Sequence, residues 1–529
     1  MSNPQSTIYL CSGVKLDNRY IHSIYFASLT DQETYFMGKV VRTLTAYTYI
    51  RKSWSIKVDA TMEAARQWTY LFFKNSSGSK TYYYFINNIE YINDNTVELF
   101  IELDVLQTYI RDIIFLPCHV EREHVISDGL FENTVDEGLD VGEYWVLNNR
   151  ESSDLSELCV LVQASYDPET TSPTGDDGTV YGWELDNIFS GLGVYAIPAA
   201  KYGKWKSMMN YLQPKIDGIF NMWMYPKALI DIDVGYDWDD ANRVTYPVKG
   251  VKNLEMLIQR SDTLAGNYEP RNKKLHCYPY NFLYVTNNAG SAAALQYEKF
   301  QGVGDQGFNI TGAISPDAAV VCIPEYYNRL SKNYEEGVTL SGFPTCSWES
   351  DNYKIWLAQN QNQHSLAATT GILKIGAGVI MTATSGGAAA ALGGVGLMGS
   401  GLMDITGQLA QKKDAAIQPA TAKGNTSASA QIVSGHGVFK FQQKCCRLEQ
   451  LKILDGYFDM YGYKVNKVKT PSINNRPHYT YVKTVDCKIN GKICGEDMTK
   501  IESIMDKGIT FWKDGDMVAN YSLAESNMA

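Results

Sequence analysis

Thr81–Ile110, TYYYFINNIEYINDNTVELFIELDVLQTYI, is the stretch that decides the fold class. Apolar and polar residues alternate on both sides of Asn93-Asp94-Asn95, the period of a strand with one buried face. Aromatic and β-branched side chains, which pack well on a pleated surface, fill both halves. The Asn-Asp-Asn between them predicts the turn of an antiparallel hairpin.

Working outward, short alternating runs (SIYFASL, ETYFMGKVV, LTAYTYIRKSWSIKVDA) extend the strand pattern from Ile8 to Phe115, and Met62–Phe73 has helical spacing. At 529 residues the chain exceeds what one hydrophobic core supports, so several domains are expected. Residues 1–147 read as an N-terminal strand-rich domain. Residues 148–344 read as a second strand-rich block, punctuated by SYDPETTSPTGDDGT, YPKALI, SDTLAGNYEPRNKK and TNNAGSA, with 166–179 an exposed loop. From residue 438 to 529 globular patterning returns. Leu448, Leu451, Ile453, Leu454 and Phe458 supply one face of an amphipathic helix that stops near Tyr461-Gly462. VNKVKTP and HYTYVKTVDCKI read as strands, Glu496–Lys507 as a helix stopped by Gly508, and ITFWK as a last strand. The expected fold is mainly β (α+β), with antiparallel, barrel-like domains and one long hydrophobic loop insertion.

That insertion, residues 345–437, holds GILKIGAGVIMTATSGGAAAALGGVGLMGSGLM at 371–403, with no ionisable side chain between Lys374 and Asp404. Its length satisfies the roughly 20 apolar residues that cross a bilayer. Large apolar side chains fall in two groups, Ile375, Val379, Ile380 and Met381, then Leu392, Val395, Leu397, Met398, Leu402 and Met403. Between and among them Gly386, Gly387, Gly393 and Gly394 make the segment pliable, since each glycine weakens a helix by about 1 kcal/mol relative to alanine. Gly386, Ala390 and Gly394 give the small-xxx-small spacing that lets helices approach closely in lipid. A self-associating membrane-active element and an apolar loop buried in an oligomer both fit; a disordered linker fits less well, because linkers favour Ser, Pro and charge. Helical patterns at 353–368 and 406–417 flank the stretch as two arms, and Lys374, Asp404, Lys412 and Lys413 are candidates for its water boundary.

A net charge of −11 argues against a protein that wraps nucleic acid, which requires cations on phosphates, and suits a surface past which DNA slides without sticking. The N-terminus shows no signal-peptide pattern. Ten scattered cysteines without C-x-x-C pairing predict reduced thiols, as in a protein made in a cytoplasm, and neither a disulfide framework nor a zinc site. Other local patterns carry no chemistry. Gly302–Gly307 matches G-x-G-x-x-G, but FNITGAISPDA follows and is not helical. His119 and His124 in HVEREHV lack metal-ligand spacing. Asp239-Asp240 and Glu335-Glu336 read as surface charge, and Ser434 has no nucleophile-elbow context. No catalytic constellation, metal site or cofactor site is expected.

Two blocks resemble a known family. ELDVLQTYIRDIIF, VEREHV and TVDEGLDVGEY near the N-terminus, then YGYKVNKVKTP, YTYVKTVDCKI and DKGITFWKDGDMVANYS near the C-terminus, are similar in order and spacing to the distal tail-tube (tail-knob) proteins of small short-tailed bacteriophages with protein-primed DNA replication. The resemblance implies a homohexamer at the closed end of a hollow tail, bound to other tail proteins (the proximal tube or collar and a tail-tip protein). The end domains would build the tube and the middle block the knob wall. The apolar loops would plug the tube, then emerge to penetrate the host cytoplasmic membrane while double-stranded DNA passes without sequence recognition. The rival readings are a tail adhesin that binds cell-wall polymer and a tail-associated wall hydrolase; both leave residues 371–403 unexplained.

Overall fold

The computed structural model describes residues 6–47, 54–75, 80–164, 168–169, 183–185, 188–190, 193–211, 219–288, 290–302, 304–315, 319–340, 345–347 and 438–523. The chain forms two compact units. One gathers Met1–Glu143, Gly266–Tyr280 and Cys446–Ala529; the other gathers Tyr144–Ala265 and Asn281–Cys445.

In the first unit, a six-stranded sheet runs in the order Val40–Tyr47, Ser6–Cys11, Tyr70–Asn75, Thr81–Asn93, Thr96–Leu103, Ser55–Asp59. The hairpin forms as its sequence dictates: Thr81–Asn93 pairs antiparallel with Thr96–Leu103, from Tyr84 opposite Leu103 to Asn93 opposite Thr96. Alternate residues Val97, Leu99, Ile101 and Leu103 are buried. A second, five-stranded sheet orders His22–Ile24, Ile509–Trp512, Tyr479–Val485, Cys118–Glu123 and Tyr463–Lys469. Its first pair is parallel, His22 opposite Thr510. One hydrophobic core contains residues of both sheets, among them Ile8, Leu99, Tyr479 and Trp512, together with Phe36 and Ile501 from helices Leu29–Gly38 and Gly495–Lys507. Phe36 stacks on Tyr70 with centroids 5.2 Å apart. Burying each such side chain contributes about 1.5–3 kcal/mol.

Three local expectations are corrected here. ETYFMGKVV is not one strand: Leu29–Gly38 is a helix, and the strand begins at Val40. The Ser28 hydroxyl accepts from the Asp31 N–H while the Asp31 carboxylate accepts from the Ser28 N–H, a reciprocal cap that starts the helix. MEAARQWTYLFF is helical only over Met62–Ala65; Tyr70–Asn75 is a strand, because Leu71, Phe72 and Phe73 pair between Ser6–Cys11 and Thr81–Asn93. In the Leu448–Tyr461 helix, Ile453 is 65% exposed, and the buried face carries Asp455 and Asp459 beside Leu451, Leu454 and Phe458.

The second unit is strand-rich and predominantly antiparallel. A six-stranded sheet orders Ile230–Ile232, Tyr246–Val251, Gly193–Pro198, Leu158–Ala164, Ile219–Pro226 and Thr345–Ser347. Leu158–Ala164 is buried on both faces, which its unbroken apolar run LCVLV requires. A four-stranded sheet orders Leu254–Ile258, Gln306–Gly312, Val320–Pro324 and Val338–Leu340. The glycines at 302–307 lead into the strand Gln306–Gly312, so no helix opens there. Another four-stranded sheet orders Tyr144–Glu151, Lys440–Cys446, Asn281–Thr286 and Ala292–Leu295.

Candidate functional site

The residues expected to form the membrane-active loop (Ile375, Val379, Ile380, Met381, Leu392, Val395, Leu397, Met398, Leu402 and Met403) and its pliable positions (Gly386, Gly387, Gly393 and Gly394) lie outside the described residues. So do the two flanking arms. No helix among the described residues is long and apolar enough to cross a membrane.

What the described residues do build is a buried ionic joint within the first unit. Gly462 places the chain there. The Leu448–Tyr461 helix ends on it at φ 63°, with its N–H donating to the Phe458 carbonyl. A Cβ at Gly462 would lie 2.2 Å from the Glu123 carbonyl oxygen and 2.5 Å from the His124 nitrogen, so the backbones of two distant segments touch only because this residue has no side chain. The chain then enters the strand Tyr463–Lys469, which pairs with Cys118–Glu123.

Around this crossing, charged side chains are paired out of solvent. The Arg122 guanidinium donates to the Gly462 carbonyl at 2.7 Å and to Glu137 Oε2, and it lies 5.0 Å from the Tyr457 ring centroid. Glu137 Oε1 accepts from Lys274 Nζ and from the Lys464 N–H at 2.8 Å. Both carboxylate oxygens of Glu137 are therefore committed to internal donors. Lys274 is 3% exposed, and burial lowers its ammonium from the ordinary value against the opposing pull of Glu137.

A second carboxylate cluster adjoins the first through Tyr463. The Tyr463 hydroxyl donates to Asp128 Oδ2 at 2.6 Å; burial and the Asp128 charge both raise its pKa. Asp455, fully buried, accepts from the Tyr268 hydroxyl at 2.6 Å, the Arg271 N–H at 3.1 Å and the Asn272 N–H at 3.0 Å. Asn272 Nδ2 bridges Asp455 Oδ1 and Asp459 Oδ1, each at 2.8 Å, and Arg271 pairs with Asp459 Oδ2. Burial raises the Asp459 pKa.

His124 sits where the same segments meet. Its Nδ1 accepts from the Tyr481 N–H at 2.8 Å and its Nε2 faces the Asp459 carbonyl at 3.0 Å. Burial and then the Arg476 charge depress its pKa to about 3. His119, in contrast, is exposed. The two histidines do not share a site. Neighbouring Glu123 is 1% exposed and pairs with Lys469, with its pKa raised by burial.

Sequence reading missed most of this joint. Glu137, Lys274, Asn272 and Asp455 come from three stretches far apart in the chain, so no local pattern links them. One trace was present: Asp455 and Asp459 stand at i and i+4 on the apolar face of their helix, where a polar pair requires internal partners. Carboxylates paired with internal donors, Glu137 and Asp455 through both of their oxygens, and a neutral imidazole held at both ring nitrogens make a structural joint. Removing one partner of a buried ion pair costs about 3–5 kcal/mol. The fragments VEREHV, TVDEGLDVGEY and YGYKVNKVKTP, which carry the family resemblance, supply Arg122, Glu123, His124, Glu137, Gly462, Tyr463, Lys464 and Lys469 to it.

Known proteins resemble this chain over nearly all of its length. The family described as the C-terminal domain of the Bacillus phage phi29 tail knob protein gp9 matches residues 244–526. The family of caudoviral major tail protein N-termini matches residues 4–114. The chain is 26% identical to the tail knob protein gp9 of Bacillus phage PZA, with 98% of each chain covered. It is 24% identical to that of Bacillus phage phi29, again with 98% of each covered. Among solved structures, the bacteriophage C1 tail knob protein gp12 shares the fold, with a TM-score of 0.66 at 13% identity over 98% of this chain and 99% of that one.

Proposed function

The chain belongs to the family of the phage tail knob protein gp9, a structural component of the virion tail and not an enzyme, and from that premise we propose how it works. Identical copies, six in the ring, form the distal end of the tail tube, joined to other tail proteins. The knob is assembled in the host cytoplasm, carried at the tail tip, and passes double-stranded DNA without reading it. The segment 371–403 plugs the tube, and on ejection it emerges and enters the host cytoplasmic membrane.

The observation that carries the membrane step is the uncharged run between Lys374 and Asp404 in a chain of this family. Alone, each such segment is an exposed apolar patch prone to aggregation; several copies within one tube shield one another. In lipid, unpaired backbone groups are costly, which drives the emerged segments to become helical or to pair. The first unit suits a frame that holds still meanwhile, because its ionic joint ties three chain segments together in one buried network.

Dye release from liposomes tests the proposal, comparing assembled protein with a variant lacking Ile375–Met403 at neutral and acidic pH. Leakage that requires the segment supports membrane entry. An assembled oligomer that releases no dye under any condition reduces the segment to a static plug.

A further inference from the structure

Two of the ten cysteines meet at the five-stranded sheet of the first unit. Val120 lies opposite Thr484, His119 opposite Val485 and Phe115 opposite Ile489, and the Leu116 N–H donates to the Lys488 carbonyl at 2.9 Å. In that register Cys118 stands opposite Asp486, and a regular strand would turn Cys487 to the other face. Asp486 instead adopts φ 54°, which breaks the alternation, and the two thiols face each other. The Asp506 carboxylate holds this turn, accepting from the Thr484 hydroxyl at 2.7 Å and the Cys487 N–H at 3.0 Å. Both cysteines are unlinked, Cys118 at 7% exposure and Cys487 at 1%. The Cys118 sulfur accepts from the Cys487 thiol and from the Lys488 N–H, donors that favour its thiolate. Burial works against ionisation of both and pushes Cys487 up to about 12. Among the described residues no group of three or more His, Cys, Asp or Glu is placed to hold a metal ion, so the pair is not part of a metal centre.

We infer that Cys118 and Cys487 form a redox-modification site, closed to a disulfide by a small peroxide once the protein leaves the reducing cytoplasm. The moment of oxidation rests on the virion reading above; the site rests on the sheet alone. A sulfur this covered is shielded from bulky thiol reagents, and hydrogen peroxide is little larger than water. The Cys118 thiolate attacks one peroxide oxygen and the O–O bond breaks. The departing hydroxide takes up the proton that Cys118 gave, leaving water and a sulfenic acid on Cys118. Cys487 then attacks that sulfur, and the sulfenic hydroxyl leaves with the Cys487 proton as a second water. The two thiols supply the two electrons that reduce the peroxide. The link joins the strand Cys118–Glu123 to the turn after Tyr479–Val485, and the covalent loop it closes contains the whole of 371–403. Closing so long a loop stabilises chiefly by restricting the unfolded chain. A force on the inserted segment then cannot peel these two strands apart at this end.

The full chain, purified in reductant and freed of it, is treated with hydrogen peroxide, alkylated and digested without reduction. The expected product is a peptide pair joined through Cys118 and Cys487, lighter than its separate members by two hydrogens. Cys487→Ala is expected to stop at Cys118 carrying one added oxygen, and Cys118→Ala to give neither product. The oxidised parent is expected to melt about 5–10 °C above the same protein after re-reduction, a shift absent from the double alanine variant. Absence of the linked pair, a link from either cysteine to another partner, or a melting shift that the double variant shares each overturns the inference. The parent is compared with itself, so the result stands even where a variant fails to fold. Linked protein that releases no dye from liposomes leaves the cysteine site standing and counts against membrane entry alone.

Discussion

The Tyr481 N–H donates to His124 Nδ1 at 2.8 Å, which leaves that nitrogen without a proton and directs the ring's single N–H, on Nε2, to the Asp459 carbonyl 3.0 Å away. A neutral imidazole is thus built into the joint, and protonating Nδ1 would set two donors face to face. With the pKa depressed to about 3 from an ordinary 6.5, the folded state binds fewer protons than the unfolded state between those values. The contribution of His124 to stability is therefore complete above pH 6.5 and is lost as pH falls from 6.5 towards 3, at up to about 1.4 kcal/mol per pH unit. The difference between the parent and His124→Asn in urea unfolding, followed from pH 7.5 to 5, is expected to show this slope. Parallel pH profiles would exclude it.

Asp104 runs the other way. It is 1% exposed, accepts from the Tyr70 hydroxyl at 2.8 Å and the Gln107 N–H at 3.1 Å, and burial raises its pKa to about 6. The folded state binds more protons than the unfolded one between the ordinary 3.8 and 6, so this group's contribution is present below pH 3.8 and is lost as pH rises through 6. Asp104→Asn, which cannot ionise, is expected to gain relative to the parent between pH 4 and pH 7. Thermal midpoints of both proteins at the two pH values check the sign.

Removing the shared carboxylate is expected to cost more than removing one of its cations. Glu137→Gln leaves Arg122 and Lys274 buried without their anion and is expected to destabilise the first unit by about 3–5 kcal/mol. Lys274→Met leaves Glu137 paired with Arg122 and the Lys464 N–H, and is expected to cost about 1–2 kcal/mol. Urea midpoints of the two variants give the order directly, and the reverse order would refute the central role of Glu137.

Gly462→Ala combines a positive φ with a Cβ that meets backbone 2.2 Å away, where no side-chain rotation relieves the clash. A loss of about 3 kcal/mol or more is expected, read as a fall in the thermal midpoint or as insoluble expression.

How much of this was legible depended on the range of the interaction. The Thr81–Leu103 hairpin was readable because alternation and an Asn-Asp-Asn turn are local. The helix at Leu29 was not, because ETYFM has strand-like composition and its start signal, Ser28 with Asp31, uses Asp where Glu or Gln is usual. Tyr70–Phe73 looked like the end of a helix because its partners, Ser6–Cys11 and Thr81–Asn93, are elsewhere in the chain. The joint was almost invisible for the same reason: Glu137 meets Lys274 and Lys464 only in three dimensions. The segment 371–403 stood out through composition alone, which gives its affinity for an apolar environment and not its conformation.

The parallel pairing of His22–Ile24 with Ile509–Trp512 has a consequence for biosynthesis. The first unit cannot close its five-stranded sheet until the ribosome has passed residue 512, because a strand made at the start waits for one made near the end. Such a non-local contact is late in folding and leaves early segments exposed while translation proceeds. A nascent chain that stalls before Ile509 lacks the strand against which His22–Ile24 closes, so the first unit's five-stranded sheet stays open at that edge.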